Sequence, residues 1–412
     1  MATVRTFNSM LNEYLTYDLL MEEVAKRSYF LENVEKDNNW RGGTLIVPFK
    51  GANASSYKYG GLTSDTDIAE NEYVRGQVSG YKEIWGTMKW NARDLMEHGK
   101  VSEQSFLKNL PDQIEDFIEG MKEVVSVNLL TGDHFAKLTV DGTIAGVIVV
   151  DRPERFTLKQ KVFVDDNNSV PSAAGYVQSI DINTKTITLD TTRAGGTDLD
   201  VSAYTVAQNA RVYVDGAETA GTAFTSLKSQ LLSATNGGSP SLFGQLKTAY
   251  PYLQAINHDG ATITSSNFLD KIFDYWTAQK QLGKGTATDV VMSYKHLGTA
   301  MKSLELASGP YKNVNMKVNI YGWTEITVTG VKGTLKFVGV HEMDDDIIFF
   351  LDWKCMKLHS NQFFKKQQSP EGLSYFTQRN TSGYVYICDV SFYGELVVNK
   401  PTGCGIIYGI NY

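Results

Sequence analysis

The sequence predicts an α+β protein with a small all-β domain set into it. Three observations carry this. An apolar stripe at helical spacing runs through 103–130, short period-two runs fill 134–216, and helix and strand patterns intermingle from 241 onward. The 412 residues (45.8 kDa) are enough for two or three domains on a prior of roughly 100–200 residues each. At 42% hydrophobic and 21% charged, the composition excludes wholesale disorder.

Residues 8–37 place Leu11, Leu15, Leu19, Met21 and Val24 at helical spacing, with Glu22, Glu23, Lys26 and Arg27 between them. Asn8 or Ser9 can cap such a helix. From Gly42 the period changes, and Thr44–Phe49 reads as a strand whose expected partner is Tyr81–Trp90. About thirty polar residues lie between these two strands. A loop that long without structure is uncommon, so the pair reads as a hairpin arm reaching away from a core.

In 103–130, Phe106, Leu110, Ile114, Phe117, Met121 and Val124 form one stripe. Asp112, Glu115, Asp116, Glu119, Lys122 and Glu123 take the opposite face. Pro111 implies a kink or a separate first turn. Across 134–216 the runs Leu138/Val140, Phe156/Leu158, Val162/Val164, Ile180/Ile182, Ile187/Leu189 and Val212/Val214 alternate between turn signals, which suggests a small sandwich or barrel. Helices are expected at Ser241–Ile256, at Ser266–Gln281 and up to about Leu306, with a strand at Thr288–Met292. From Ile320 to the end the chain reads as strand-rich.

A net charge of −7 and a pI near 5.5 disfavour general polyanion binding. Cys355, Cys388 and Cys404 form no CxxC pair, so neither a disulfide framework nor a structural zinc site is expected. No secretory signal and no run of roughly 18–20 apolar residues is visible, and the expectation is a soluble protein made in a reducing cytoplasm.

Catalytic motifs are not found. His341–Asp345 opens like a zinc-protease helix but has Asp345 where a second histidine is needed, and it reads as a polar hairpin turn. Gly283-Lys284-Gly285-Thr286 lacks the earlier glycine of a phosphate loop. Asp65, Asp67, Glu70 and Glu72 miss the calcium-loop pattern at Ala69 and Glu70, and read as a solvated acidic loop. The six histidines are scattered. No catalytic residue, cofactor or metal is expected.

The order of elements is more informative than any one motif. A helical arm precedes an excursion opened by Gly42-Gly43-Thr44-Leu45-Ile46-Val47-Pro48-Phe49, and a long helix ends at Leu129-Leu130-Thr131-Gly132-Asp133. Ile347–Trp353 follows much later, and then Val390-Ser391-Phe392-Tyr393-Gly394-Glu395-Leu396-Val397-Val398-Asn399-Lys400-Pro401. This order resembles the HK97-like (Hong Kong 97 type) major capsid proteins of tailed bacteriophages. The resemblance implies an N-terminal arm (1–40), an extended loop (41–91), and a peripheral domain with a spine helix (92–133). An inserted β domain (134–216), an axial domain (217–345) and C-terminal strands (346–412) would complete the chain.

The resemblance also implies function: self-assembly, through hexamers and pentamers, into an icosahedral shell around double-stranded DNA. The implied partners are other copies of the chain, a separate scaffolding protein, a portal, a decoration protein, and packaged DNA held weakly. No membrane is involved, and the location is the virion, with the host cytoplasm during assembly. The expected contacts between subunits fall on Leu15 and Leu19 of the arm and on Lys50, Tyr57, Tyr59, Asp65, Asp67, Glu70 and Tyr73 of the loop. Lys365 and Lys366 would meet the acidic loop tip. The family's lysine–asparagine cross-link finds no aligned residues here, so non-covalent locking is expected. An encapsulin-like shell around protein cargo, a tail or baseplate protein, and a carbohydrate-binding or hydrolytic protein are the alternatives.

Overall fold

A computed structural model describes residues 28–40, 43–52, 72–80, 82–91, 117, 120–132, 134–166, 172–217, 223–281, 286–306, 314–318, 324–330, 333–366, 377–380 and 384–412. Residues 8–27 of the helix expected at 8–37, the acidic residues Asp65, Asp67 and Glu70, Pro111 and the Gly283–Gly285 segment lie outside them. The described chain divides into two compact units. One draws on 82–226 and 364–392, the other on 25–81, 227–363 and 393–412.

In the first unit six antiparallel strands close into a barrel. They are His134–Val140, Val147–Val150, Lys161–Asp165, Ala173–Asp181, Thr186–Asp190 and Arg211–Val214. Alternation puts Leu138, Ile148, Val150, Val162, Val164, Val177, Ile187, Leu189 and Val212 inside, all buried. Register shifts at Leu138/Val140, Val177/Ser179 and Val212/Tyr213 supply the bends that closure needs. Gly146 (φ 68°) has no room for a side chain, since a Cβ there would lie 2.2 Å from the Leu189 carbonyl oxygen. The Ile180–Leu189 hairpin pairs Ile180 with Ile187 as its alternation predicts. Phe156/Leu158 is not a strand. A 3-10 turn at Pro153–Arg155 delivers Phe156 into the core edge-on to Phe135, and Leu158 stays exposed.

The helix before the barrel is described at 117 and 120–130. Its last turns are buried on every side, Lys122 included, rather than along one stripe, and Val127 reaches into the barrel core. The solvent face assigned to Lys122 is therefore corrected, since Lys122 is buried.

The second unit is built on a seven-stranded mixed sheet. Its order is Ile256–Asp259, Gly405–Tyr408, Ile347–Leu351, Asp289–Met292, Gly333–Gly339, Thr324–Gly330, Val314–Val318. Helices Phe268–Gln281 and Tyr294–Leu306 agree closely with the sequence pattern. Phe268, Leu269, Ile272, Trp276, Leu297 and Ala300 from these helices pack on Val290, Met292, Phe337, Ile348 and Phe350 of the sheet. Ile347–Leu351 is buried on both faces, which is why it reads as an unbroken apolar run. The segment 341–346 is not a hairpin turn. Asp289–Met292 lies between the strands it joins, so it crosses over, and Glu342, Met343 and Asp344 are buried in doing so.

Ser241–Ile256 forms no helix. Ser241–Leu242 pairs with Gln245–Leu246 through a tight turn with positive φ at Phe243 and Gly244, and Pro251 then starts a 3-10 turn. Residues 28–37 also differ from a continuous helix. Ser28 caps a short helix, Tyr29–Asn33, and Glu35–Asp37 is a strand.

One prediction arises from the edge of the sheet. His258 stacks on Tyr275 (centroids 4.3 Å apart), its Nε2 lacks a partner among the described residues, and burial pulls its pKa down to about 4. His296 and His359 are likewise shifted down by burial. Between about pH 6.5 and pH 4 the unfolded chain binds a proton at His258 that the folded chain does not, and the other two rings act in the same direction. The His258 contribution is therefore full above about pH 6.5 and is lost as pH falls toward 4. Thermal unfolding at pH 7 and pH 4.5 should show this acid loss. His258→Phe keeps the stacking and removes one titrating ring, so it should narrow the difference by on the order of 1 kcal/mol after allowing for solvent access. An unchanged difference would remove His258 from the account.

Candidate assembly surfaces

Within the second unit, Thr44–Ala52 pairs antiparallel with Glu72–Ser79, not with Tyr81–Trp90. The strand Lys82–Asn91 instead pairs with Tyr384–Val398. Both hairpin strands alternate. Val47, Phe49 and Val78 face inward against Leu242, Leu253 and Val397, while Ile46, Pro48, Lys50, Tyr73, Arg75 and Gln77 face outward. The inward register is fixed by close fit. Gly76 lies under the Phe49 ring, where a Cβ would come within 2.1 Å of Cε2. Phe49 stacks on Phe243 with rings 6.4 Å apart.

The hairpin base is tied down further. The Gln77 amide donates to the Phe243 carbonyl (2.9 Å), and Gln245 Nε2 donates to the Arg75 carbonyl (2.8 Å). Lys50 Nζ sits 5.4 Å from the Tyr252 ring centroid. The base is thus rigid, with one wet face that carries large apolar groups: Tyr73 is 67% and Ile46 56% exposed. Exposed apolar side chains on a fixed two-stranded platform suit contact with another protein surface.

A second feature fixes the segment leading into the hairpin. Glu35–Asp37 runs parallel to Lys357–His359, with Lys357 Nζ 2.6 Å from Glu35 and His359 Nδ1 3.2 Å from Asp37. The hydrogen bond to Glu35 raises the Lys357 pKa. That pair is solvent-exposed and adds little stability. Buried beside it in the same unit, Tyr29 Oη (2.7 Å) and Trp353 Nε1 (2.6 Å) both donate to Asp289 Oδ2.

In the first unit, the barrel end away from where the chain enters and leaves exposes Val140, Ile144 and Val206. The loops there are knitted together, since the Val206 amide donates to Asp141 Oδ1 (2.8 Å) and the Gly142 amide to the Tyr204 carbonyl (2.9 Å). Trp85, on the strand Lys82–Asn91, is 49% exposed.

Of the residues singled out in the sequence, Lys50 and Tyr73 are opposite each other across the hairpin. Leu15, Leu19, Tyr57, Tyr59, Asp65, Asp67 and Glu70 lie outside the described residues. Lys365 and Lys366 end the strand Met356–Lys366, and their side chains are likewise outside the description. Ile46 and Trp85 were missed. The signal for Ile46 was present, as an apolar residue out of phase between Leu45 and Val47. Among the described residues, no group of three His, Cys, Asp or Glu could hold a metal, and no helix is long and apolar enough to cross a membrane.

A chain of the cyanophage A-1(L) capsid asymmetric unit superposes over 100% of both chains, with a TM-score of 0.52 at 12% sequence identity. This chain has a phage-capsid fold. At lower similarity stand the capsid of Myoviridae phage XM1 (TM-score 0.40, 10% identity, 92% of this chain and 91% of that one) and a SrpI encapsulin complex from Synechococcus elongatus (0.42, 9%, 93% and 88%). Neither a family model nor a curated protein sequence matches.

Proposed function

We propose that this chain is a major capsid protein, a structural subunit that assembles with its own copies into a closed shell. End-to-end superposition on a cyanophage capsid chain, with nothing left over on either side, supports this reading most. The rigid hairpin with an apolar outer face supplies the kind of weak contact that a closed heterologous ring repeats at every subunit. The N-terminal arm and the segment joining the two hairpin strands, Ala52 to Glu72, would cross onto neighbours, and locking would be non-covalent. Double-stranded DNA would be the cargo, held loosely. A net charge of −7 suits this, because strong phosphate contacts would resist filling and release. Scaffolding protein, portal and decoration protein are the further partners proposed, with assembly in the host cytoplasm. Electron microscopy of the expressed chain, alone and with its genomic neighbours, tests the reading. Closed icosahedral shells are expected, and tubes, trimers or persistent monomers under every condition would overturn it.

The barrel is proposed as an inserted domain on the outer face of the shell. Its first and last strands pair with each other, Tyr213 opposite His134, so the chain enters and leaves at the same end. Replacing 134–216 by a short Gly/Ser linker should therefore leave a foldable remainder that still assembles. Loss of soluble protein or of cooperative unfolding in that variant would place the barrel inside the core instead.

A further inference from the structure

Two cysteines far apart in sequence meet in the second unit. Cys355 ends the 3-10 turn Trp353–Cys355, and Cys404 directly follows the 3-10 turn Pro401–Gly403. Backbone bonds hold these turns together, since the Asn399 amide (2.8 Å) and the Lys400 amide (3.3 Å) both donate to the Cys355 carbonyl. The Cys355 sulfur fills the space over Gly403, where a Cβ would lie 2.5 Å from Sγ. The two thiols are within hydrogen-bonding reach of each other, and both residues are buried, Cys355 at 4% exposure and Cys404 at none. Thr286 and Asp352 complete the surroundings of Cys355, with the Thr286 hydroxyl donating to the Asp352 carboxylate.

We propose that Cys355 and Cys404 are a modification site, a buried dithiol that a small peroxide closes into an intramolecular disulfide. The pair is asymmetric in the way this reaction needs. The hydrogen bond between the sulfurs lowers the pKa of Cys355 and raises that of Cys404, which favours Cys355 as the attacking sulfur. Cys355 is also the one with residual exposure, and a peroxide is close to water in size.

The electron count closes with hydrogen peroxide as the oxidant. Cys355 Sγ attacks one peroxide oxygen, the O–O bond breaks, and the departing hydroxide is protonated to water, leaving a sulfenic acid on Cys355. Cys404 Sγ then gives up its proton and displaces the sulfenic hydroxyl, which leaves as a second water. The two thiols lose two electrons and the peroxide gains them. The backbone bonds from Asn399 and Lys400 to the Cys355 carbonyl hold the two segments side by side, which keeps Cys404 near the sulfenic acid. The inference concerns this pair of thiols alone and does not depend on shell assembly.

The full-length protein is treated with a few equivalents of hydrogen peroxide, alkylated in denaturant and digested without reductant. Mass spectrometry should show a peptide pair linking Cys355 to Cys404 that dithiothreitol releases, with Cys388 alkylated. In Cys404→Ser, a dimedone adduct should accumulate on Cys355 that is absent from the parent protein. Three results would overturn the proposal: both thiols still alkylated after peroxide, Cys355 carried to sulfinic acid in the parent protein, or a linked peptide containing Cys388.

Discussion

With the shell assembled as proposed, replacing Ile46 and Tyr73 together by aspartate should abolish shell formation while the subunit keeps its fold. Both side chains point away from the core on the hairpin Thr44–Ala52/Glu72–Ser79, and neither belongs to the cluster of Val47, Phe49 and Val78 that anchors it. The backbone pairing, the Phe49–Phe243 stack and the Gln77 and Gln245 hydrogen bonds are untouched, so subunit stability should change by under about 1 kcal/mol. At an interface each of these side chains contributes about 1.5–3 kcal/mol on burial, and an aspartate buried in its place costs more than the lost contact. A shell repeats the contact at every subunit, so the deficit multiplies and assembly drops below detection. Circular dichroism and unfolding curves like the parent's, with monomers by size exclusion and no particles by electron microscopy, are the expected result. Val47→Asp is the contrasting control and should damage the fold itself. Normal particles from the double variant would remove this face from assembly.

Features written in local periodicity were legible in the sequence. Thr288–Met292 read as a strand and is the middle one of the sheet, and Ile347–Leu351, also read as a strand, lies beside it. Alternation in 134–216 read as short strands, and those strands close into a barrel. The capsid fold itself was legible from the order of elements, although no single motif is specific to it. Local pattern misled where two structures share one spacing. Leu242, Leu246, Tyr250 and Leu253 fall at helical intervals, yet the Phe243–Gly244 turn and Pro251 break the chain into a small hairpin and a 3-10 turn. Tyr81–Trp90 was the expected hairpin partner, whereas the strand that pairs is Glu72–Ser79, within the stretch read as polar loop. In the true partner, one inward position is a glycine that makes room for Phe49. Contacts made only by tertiary folding left no sequence signal. The Cys355–Cys404 pair and the Lys247 ammonium, which bonds the Ser229 and Leu232 carbonyls (2.9 Å each) at the end of a short helix, are of this kind.

Asp289→Ala should strongly destabilise the second unit, by about 2–5 kcal/mol. Asp289 is buried at the start of the central strand Asp289–Met292, where it pairs with Lys336 on one side and Leu351 on the other. Its Oδ2 accepts from both Tyr29 Oη and Trp353 Nε1, and its Oδ1 accepts from Thr288 Oγ1 (3.0 Å). Truncation takes away the acceptor that a buried tyrosine and a half-buried tryptophan share, at about 1–3 kcal/mol for each donor. The rings involved also pack on one another, with Tyr29 edge-on to Trp353 at 5.8 Å, Phe30 5.9 Å from the same indole, and Lys336 Nζ 5.0 Å from the Tyr29 ring. The loss should therefore spread to the helix Tyr29–Asn33 and loosen the segment that leads to the hairpin. Urea unfolding should show a lower midpoint, and limited proteolysis should show faster cleavage near residues 28–40 than elsewhere. Asp289→Asn keeps an acceptor oxygen and should recover part of the stability. Tyr29→Phe combined with Asp289→Ala should cost less than the two changes added together, because both remove the same hydrogen bond. Strict additivity, or an Asp289→Ala midpoint like the parent's, would mean that the carboxylate does not hold this end of the chain.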